Sequence, residues 1–245
     1  MAKKNRASTG ITDCACVIHS TGYEWTYVER LYNMLDRNLP GGIRFHVYTE
    51  HDRSVPPYMI KHILEDWPGI AGPKKSWWHK LQVFNPEHHQ GNLLYFDLDT
   101  VIVRDVTWIT QLDSNYVWGI RDFRHLQNPR INTLNSSVMW WNVEQFGWVW
   151  NRFKNDDIAK LSRQYPGDQD YLYATLGHNR IRYFDDAQLK SWRWQCFDGG
   201  YDFQYRKHRA PGQGTFIDGN TSVLVFHGHP KPHKINDKVV QDLWR

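Results

Sequence analysis

The sequence predicts an α/β protein with a mostly parallel central sheet flanked by helices. Short apolar runs, typical of buried strands, alternate along the chain with segments whose apolar residues recur at helical spacing. At 245 residues, the chain is long enough to bury a substantial core. Strands that alternate with helices favour a parallel sheet with helices packed on its faces.

The first half of the chain contains three predicted strands and three predicted helices. The strands are 13–20, 43–50 and 92–103, and the helices are 23–39, 56–67 and 77–84. In the first helix, apolar residues fall at Trp25, Val28, Leu31, Met34 and Leu35, and the sequence Pro-Gly-Gly follows it. The second helix is predicted to open on proline. The segment 92–103 is predicted as one continuous strand.

The second half continues the alternation. Predicted strands are 136–143 and 222–228, and predicted helices are 144–155, 167–177 and 236–244. No repeat or low-complexity linker divides the chain. We therefore expect a flexible N-terminal segment, 1–11, followed by a single domain over 12–245.

Composition excludes several classes of protein. The net charge is only +4 and the basic residues are scattered, which is too mild a balance to indicate a nucleic-acid binder, and we expect no nucleic-acid partner. Cys14, Cys16 and Cys196 form neither a disulfide framework nor a CxxC pair, and we expect reduced thiols. Neither a signal peptide nor a membrane span is recognisable. The expected location is the cytoplasm.

Two aspartates, Asp97 and Asp99, lie inside the apolar run 93–103. On a strand, residues two apart point to the same face, so we expect both carboxylates to project together. Like charges this close repel unless a cation lies between them, and a hard divalent ion suits oxygen ligands. The alternative is structural: Asp99 caps a turn and Asp97 pairs with an arginine such as Arg104.

Four further motifs carry polar residues that suit chemistry on a phosphorylated ligand. They are K-L in 76–84, N-S-x-V in 135–138, G-D-Q in 167–169, and H-G-x-x-K-P in 227–232. Gly228 allows a close backbone approach, His227 offers an imidazole to a metal, and Lys231 offers a point charge to a phosphate.

Together with D-x-D, these motifs resemble those of nucleotide-sugar glycosyltransferases of the glycogenin and lipopolysaccharide galactosyltransferase kind, which have a GT-A fold with a Rossmann-like nucleotide-binding half. The motifs occur in the family's order along residues 12–235. The resemblance implies transfer of a sugar from a nucleotide-diphosphate donor, with UDP expected, and retention of anomeric configuration.

The resemblance also implies residue roles. The metal ligands are Asp97, Asp99 and His227. The donor is bound by Lys80, Asn135, Ser136, Gly228 and Lys231, and by Tyr23 or Tyr27 stacked on the nucleobase. The catalytic residues, which would lie beside the transferred sugar, are Asp168, Gln169 and Asp122. The histidine ligand favours Mn²⁺, with Mg²⁺ as the second choice.

The sequence departs from the family pattern at three positions. The usual metal histidine stands three residues before the glycine, where this chain has Val225, so His227 or His229 would replace it. The glycine of N-S-G is Ser137, and the aromatic residue after K-P is His233. The acceptor is open: a glycan, a protein or a small molecule, with Trp192 and Trp194 as candidates for stacking on a sugar.

Each assignment has a structural alternative. Lys80 could be a surface lysine, His227 a core histidine, Asp168 a helix N-cap, and Asn135 a turn residue. Two other functions compete. A phosphatase of the haloacid dehalogenase type would use Asp97 and Asp99 as its D-x-D motif. A non-catalytic sugar-binding protein of the same fold would use none of them chemically.

Overall fold

A computed structural model describes residues 10–20, 22–67 and 76–245 of the chain. The predicted flexible segment 1–11 therefore lies outside the described residues, apart from Gly10 and Ile11. The first half contains β1 (Thr12–Val17), α1 (Thr26–Asn38), β2 (Ile43–Thr49), β3 (Ile60–Ile63), a 3₁₀ helix (Ser76–Phe84), β4 (Asn92–Phe96) and β5 (Thr100–Ile102).

The second half begins with β6 (Val117–Arg121), β7 (Leu134–Asn142), α2 (Val143–Lys154), α3 (Ile158–Gln164) and α4 (Asp168–Leu176). It ends with β8 (Ile181–Tyr183), β9 (Leu189–Ser191), a π-helical turn (Trp192–Cys196), β10 (Tyr201–Asp202), β11 (Lys207–His208), β12 (Val223–Val225) and α5 (Lys238–Leu243). Most predicted elements of this half are confirmed. No helix in these described stretches has the length and apolar character that crossing a membrane requires.

The central sheet has seven strands in the order β3-β2-β1-β4-β7-β6-β8. Neighbouring strands run parallel except at β4–β7 and β7–β6, where they are antiparallel. The prediction of an α/β fold with a mostly parallel sheet is confirmed. A second sheet has three strands in the order β5-β12-β9, and its strand β5 follows β4 in the sequence. The short strands β10 and β11 pair with each other.

The sheet separates two hydrophobic cores. One face carries Cys14, Phe45, Leu94 and Phe96 against α1 and the second sheet. The other carries Ala15, Tyr48, Leu93 and Tyr95 against the 3₁₀ helix, α2 and α4. Successive strand residues point to opposite faces, and both faces are covered by packed elements. Consecutive residues are therefore apolar, and the strands appear in the sequence as continuous hydrophobic runs.

The predicted helix 56–67 is wrong. Residues Ile60–Ile63 form β3, which pairs in parallel with β2 at the edge of the sheet. The apolar residues Ile60 and Ile63 lie one helical turn apart in sequence, which produced the helical pattern, yet they are 39% and 49% exposed. Backbone pairing with β2 decides the conformation here, since tertiary context overrides a short local pattern.

The predicted continuous strand 92–103 is also wrong. The backbone leaves the central sheet after Phe96, turns, and joins the second sheet as β5. The backbone N–H and the Oγ1 hydroxyl of Thr100 both donate to the carbonyl oxygen of Asp97, at 3.2 and 2.8 Å, and close the turn. Asp97 and Asp99 therefore lie on a turn between two sheets and not on one face of a strand.

Candidate active site

The turn that carries Asp97 and Asp99 begins where β4 ends. β4 runs parallel to β1 in the middle of the sheet, so this turn lies at the carboxyl edge of the parallel strands. Open α/β sheets bind their ligands at this edge. The Asp97 backbone N–H donates to the carbonyl of Ser137 at 2.7 Å, which attaches the turn to β7.

Lys80 connects two carboxylates that are distant in sequence. Its Nζ lies 2.8 Å from Oδ1 of Asp97 and 3.2 Å from Oδ2 of Asp168. It also donates to Oγ of Ser136 at 3.0 Å, and that hydroxyl donates to Asp168 at 2.6 Å. The 3₁₀ helix, β7 and the first residue of α4 thus converge on one buried polar cluster. Lys80 is only 7% exposed, so it is not a surface lysine.

The charge on Lys80 is maintained by these partners. Burial lowers the pKa of its ammonium, but the carboxylates of Asp168 and Asp97 outweigh burial and hold the pKa above its usual range. Asp168 follows the N-cap residue Gly167 and does not itself cap α4 through its side chain. Its carboxylate points to Lys80 and Ser136 instead, so the N-cap interpretation is wrong.

Asp99 has a second lysine as its partner. Lys231 forms an ion pair with Oδ2 of Asp99, and the hydroxyl of Tyr23 donates to the same oxygen at 3.0 Å. Burial raises the pKa of the Asp99 carboxyl, Lys231 lowers it, Asp97 raises it further, and the net direction is upward. Arg104 donates to the carbonyls of Asp218 and Gly219 and does not pair with Asp97, so that alternative is wrong.

His227 lies beside Ser191. Among the described residues, it makes no contact with Asp97 or Asp99. Its Nε2 lies 2.6 Å from Oγ of Ser191, and its ring stacks on Phe123 at 5.1 Å. Burial lowers the pKa of His227 to about 4, against an opposing effect of Asp122. β12 ends at Val225, so strand alternation does not orient His227.

The remaining predicted sugar and donor residues surround this centre. Asp122 caps the 3₁₀ turn Phe123–Leu126 and is paired with Arg124 at 2.8 Å. Gln169 is half-buried in α4, and its amide makes no hydrogen bond to the described part of the chain. Asn135 lies in β7, and its side-chain oxygen accepts from the backbone N–H of Ser137 at 3.1 Å.

Two neighbouring cavities open at this edge of the sheet. The smaller, of about 210 Å³, is lined by His19, Tyr23, Lys80, Asp97 and Asp99 among others. The larger, of about 810 Å³, includes Tyr23, Tyr27, Lys231, His233 and Trp244 in its lining. Tyr23 and Lys231 belong to the rim next to the aspartates. The hydroxyl of Tyr27 is bound to Nδ1 of His233, whereas that of Tyr23 donates to Asp99.

The two tryptophans proposed for an acceptor have different environments. Trp192 is 3% exposed, stacks on Phe226 at 4.8 Å and donates to Thr215, and it also contributes to the lining of a cavity of about 490 Å³. Trp194 is half-buried and lines a separate cavity of about 470 Å³ together with Arg193, Tyr201 and Phe203.

Sequence reasoning missed two residues of the site. The Tyr95 hydroxyl donates to Asp97 at 2.8 Å, and Ser191 holds the ring of His227. The sequence could have indicated Tyr95 as a neighbour of Asp97, since it lies two residues before Asp97 in an apolar run whose alternate residues share a face. Ser191 carried no comparable signal, because its partner is 36 positions away.

Gly228 adopts a φ of +74°, in the left-handed region, and no atom lies within 4 Å of the position that a Cβ would take. This backbone conformation favours glycine, and the space around it does not. It turns the chain between His227 and the segment 229–235 that carries Lys231.

The carboxylate pair fits a hard divalent cation. Both groups offer oxygen ligands. The negative charge of Asp97 raises the pKa of the Asp99 carboxyl, because the two carboxylates repel each other. In the described residues, the groups of three ligands within 4.8 Å of one another are Asp13–His46–His89 and His19–Asp66–His79, so Asp97, Asp99 and His227 do not form such a group. An ion held by the two aspartates would need further ligands, which phosphate and water can supply.

The fold is shared with solved glycosyltransferases. A structure of LgtC aligns with a TM-score of 0.63 at 16% identity over 95% of both chains. Another LgtC structure, described as a galactosyltransferase in complex with donor and acceptor sugar analogues, has a TM-score of 0.58 at 16% identity, over 96% of this chain and 97% of that one.

Two further proteins show the same similarity. GlyE, a glycosyltransferase of Streptococcus pneumoniae, has a TM-score of 0.61 at 15% identity, over 96% of this chain and 59% of that one. Mouse xyloside xylosyltransferase 1 has a TM-score of 0.51 at 14% identity, over 89% and 99%. The chain has the GT-A fold of these glycosyltransferases. No protein-family model matches the sequence, and no curated protein matches it by sequence.

Proposed function

We propose that this protein is a metal-dependent glycosyltransferase that moves a sugar from a nucleotide-diphosphate donor, with UDP as the expected nucleotide, and retains anomeric configuration. The observation that carries the proposal is the position of Asp97 and Asp99 on a turn at the carboxyl edge of a GT-A sheet, each paired with its own lysine. The adjoining cavities, of about 210 and 810 Å³, offer room for a nucleotide and a sugar.

In this proposal, the chain's basic groups stabilise the leaving group. As the bond between the anomeric carbon and the β-phosphate oxygen breaks, negative charge grows on the diphosphate. Mn²⁺, or Mg²⁺ in its place, would be held by Asp97 and Asp99 and would supply Lewis-acid stabilisation of that charge. Lys231 adds a cation beside Asp99, and a charge that is complementary to the transition state lowers the barrier. His227 or His229 as a third metal ligand remains part of the proposal.

The opposite charge develops on the sugar. The anomeric carbon becomes cation-like, and the carboxylate of Asp168 lies in the same polar cluster as Asp97 through Lys80. Lys80 and Ser136 hold this carboxylate in one orientation. Gln169, with an amide unpaired in the described chain, and Asp122 are the further candidates for contact with the sugar. The acceptor is a glycan, a protein or a small molecule, for which Trp194 offers a half-buried ring.

The proposal is tested by the products formed from UDP-sugars incubated with the purified protein and Mn²⁺. A transferase, which also hydrolyses its donor slowly in the absence of acceptor, releases UDP. A haloacid-dehalogenase-like phosphatase releases inorganic phosphate from phosphate esters, and a sugar-binding protein releases neither. Asp105→Asn serves as the matched control for Asp99→Asn, because Asp105 is exposed and only caps a nearby turn. UDP release by the wild type and the control, but not by Asp99→Asn, is the expected result.

A further inference from the structure

A cluster of two histidines and one aspartate lies at the opposite end of β1 from the candidate active site. Asp13 is the second residue of β1, His46 is in β2, and His89 is in the loop before β4. One ligand atom of each lies within 4.8 Å of the others. His46 and His89 are 4% and 9% exposed, so the cluster is buried beneath a surface cavity of about 410 Å³.

We propose that Asp13, His46 and His89 bind a divalent transition-metal ion of the zinc class. Two imidazoles and one carboxylate are a common ligand set for Zn²⁺, which takes water in its fourth position. The cavity, which His46 and His89 line, leaves that position accessible from solvent. Nitrogen ligands favour zinc over manganese, so this site would differ in preference from the oxygen ligands Asp97 and Asp99.

Each of the three ligands is held by a second group. Nδ1 of His46 lies 2.9 Å from Nε2 of His62, and Nε2 of His89 lies 3.3 Å from the carbonyl of Asn92. A histidine that donates from one ring nitrogen presents the other, unprotonated, to a metal. His89 thereby presents Nδ1. At His46, Nε2 lies 2.9 Å from Oδ1 of Asp13 and donates to that carboxylate, so it would become a ligand once its proton leaves and Nδ1 becomes the donor to His62. The metal would replace the proton that these two atoms now share.

Arg44 holds the third ligand by binding both oxygens of Asp13. Its positive charge opposes a cation at this site. Its side chain is 56% exposed, however, so water and salt screen that repulsion. The arginine thus orients the carboxylate at a small electrostatic cost.

The other cluster, His19–Asp66–His79, does not offer the same set. The Gln82 amide is fixed by two hydrogen bonds of 2.9 Å to the backbone of Glu65, and its Nε2 lies 3.2 Å from Nδ1 of His79. An amide nitrogen only donates, so Nδ1 of His79 accepts and its proton is on Nε2. That nitrogen, 3.2 Å from Asp66, therefore carries a proton and offers no lone pair to a metal.

A bound ion would attach the loop 85–91 to β1 and β2. The test is calorimetric titration of the full chain with Zn²⁺, together with thermal unfolding at increasing Zn²⁺. His89→Gln and His46→Gln remove a ligand each. His178→Gln removes an exposed imidazole elsewhere, and His79→Gln tests the other cluster. Far-UV circular dichroism verifies that each variant is folded.

We expect one Zn²⁺-binding event that weakens tenfold or more in His89→Gln and His46→Gln and is unchanged in His178→Gln and His79→Gln. The melting temperature of the wild type should rise with Zn²⁺, and that of His89→Gln should not. Zn²⁺ affinity that is equal in His89→Gln and the wild type would overturn the proposal. So would a loss confined to His79→Gln, or the absence of Zn²⁺ binding to the wild type.

Discussion

The ammonium of Lys231 forms an ion pair with the carboxylate of Asp99, although the two residues are 132 positions apart in the chain. Asp99 lies on the turn between the two sheets, and Lys231 lies in the segment that follows β12 and Gly228. Both carboxylates of the D-x-D motif are thus neutralised by lysines, since Lys80 pairs with Asp97. This compensates for the burial of Asp99 and the partial burial of Asp97 just after an apolar strand.

We expect Lys231→Met to weaken binding of UDP with Mn²⁺ by about 1–3 kcal/mol, because a charge-assisted contact to the diphosphate is lost. Calorimetric titration measures the change. Lys238→Met is the control, since the Lys238 side chain is 85% exposed and pairs only with Asp242. Equal affinities of Lys231→Met and the wild type would remove Lys231 from the donor site.

We expect Asp99→Asn to abolish the dependence of UDP binding on Mn²⁺ while the protein stays folded. The amide keeps the size of the carboxylate but removes the negative charge that a hard cation requires. Binding is measured with and without Mn²⁺, and Asp105→Asn should behave as the wild type. If Asp99→Asn responds to Mn²⁺ as strongly as the wild type does, Asp99 is not a metal ligand.

We expect Lys80→Met to lower the free energy of unfolding by about 3–5 kcal/mol, because it leaves the buried carboxylate of Asp168 and the half-buried carboxylate of Asp97 without their cation. Urea denaturation gives the value. Adding Asp168→Asn should recover part of the loss, since the double variant removes one of the unpaired charges. Strictly additive losses in the double variant would show that Lys80 and Asp168 do not interact energetically.

The pH dependence of stability should include a contribution from His79. Burial, followed by the neighbouring His19, lowers its pKa to about 4. The unfolded chain takes up this proton near pH 6.5 and the folded chain only near pH 4, so stability is present above about pH 6.5 and falls as the pH decreases. The loss approaches about 3 kcal/mol near pH 4.

His79→Gln isolates this contribution from those of the other histidines. The variant should lose less stability than the wild type between pH 7 and pH 4.5, as measured by urea denaturation at each pH. Identical losses in both proteins would mean that His79 is already protonated in the folded state, or is accessible to solvent.

Much of the fold could be predicted from periodicity. β7, α2 and α4 follow one another in the sequence with clear changes from apolar runs to helical spacing, and the structure has them in that order. The motif residues Lys80, Ser136 and Asp168 were identified separately, and the structure brings them into one hydrogen-bonded cluster.

Other features depend on contacts that a local pattern does not contain. The break after Phe96 arises because β5 pairs with β12, which lies more than a hundred residues later. The strand Ile60–Ile63 forms because β2 offers an open edge. The structural alternative paired Asp97 with Arg104, a near neighbour in sequence, but the cation beside it is Lys80, which reaches it from the 3₁₀ helix.

The most direct test of the proposed function is calorimetric titration of the purified protein with UDP, in the presence and in the absence of Mn²⁺. The account predicts tight binding only with Mn²⁺, because the carboxylate oxygens of Asp97 and Asp99 would bind a diphosphate through a shared cation and not directly. Equal binding under both conditions, or no binding under either, would contradict a metal-dependent UDP-sugar site at these residues.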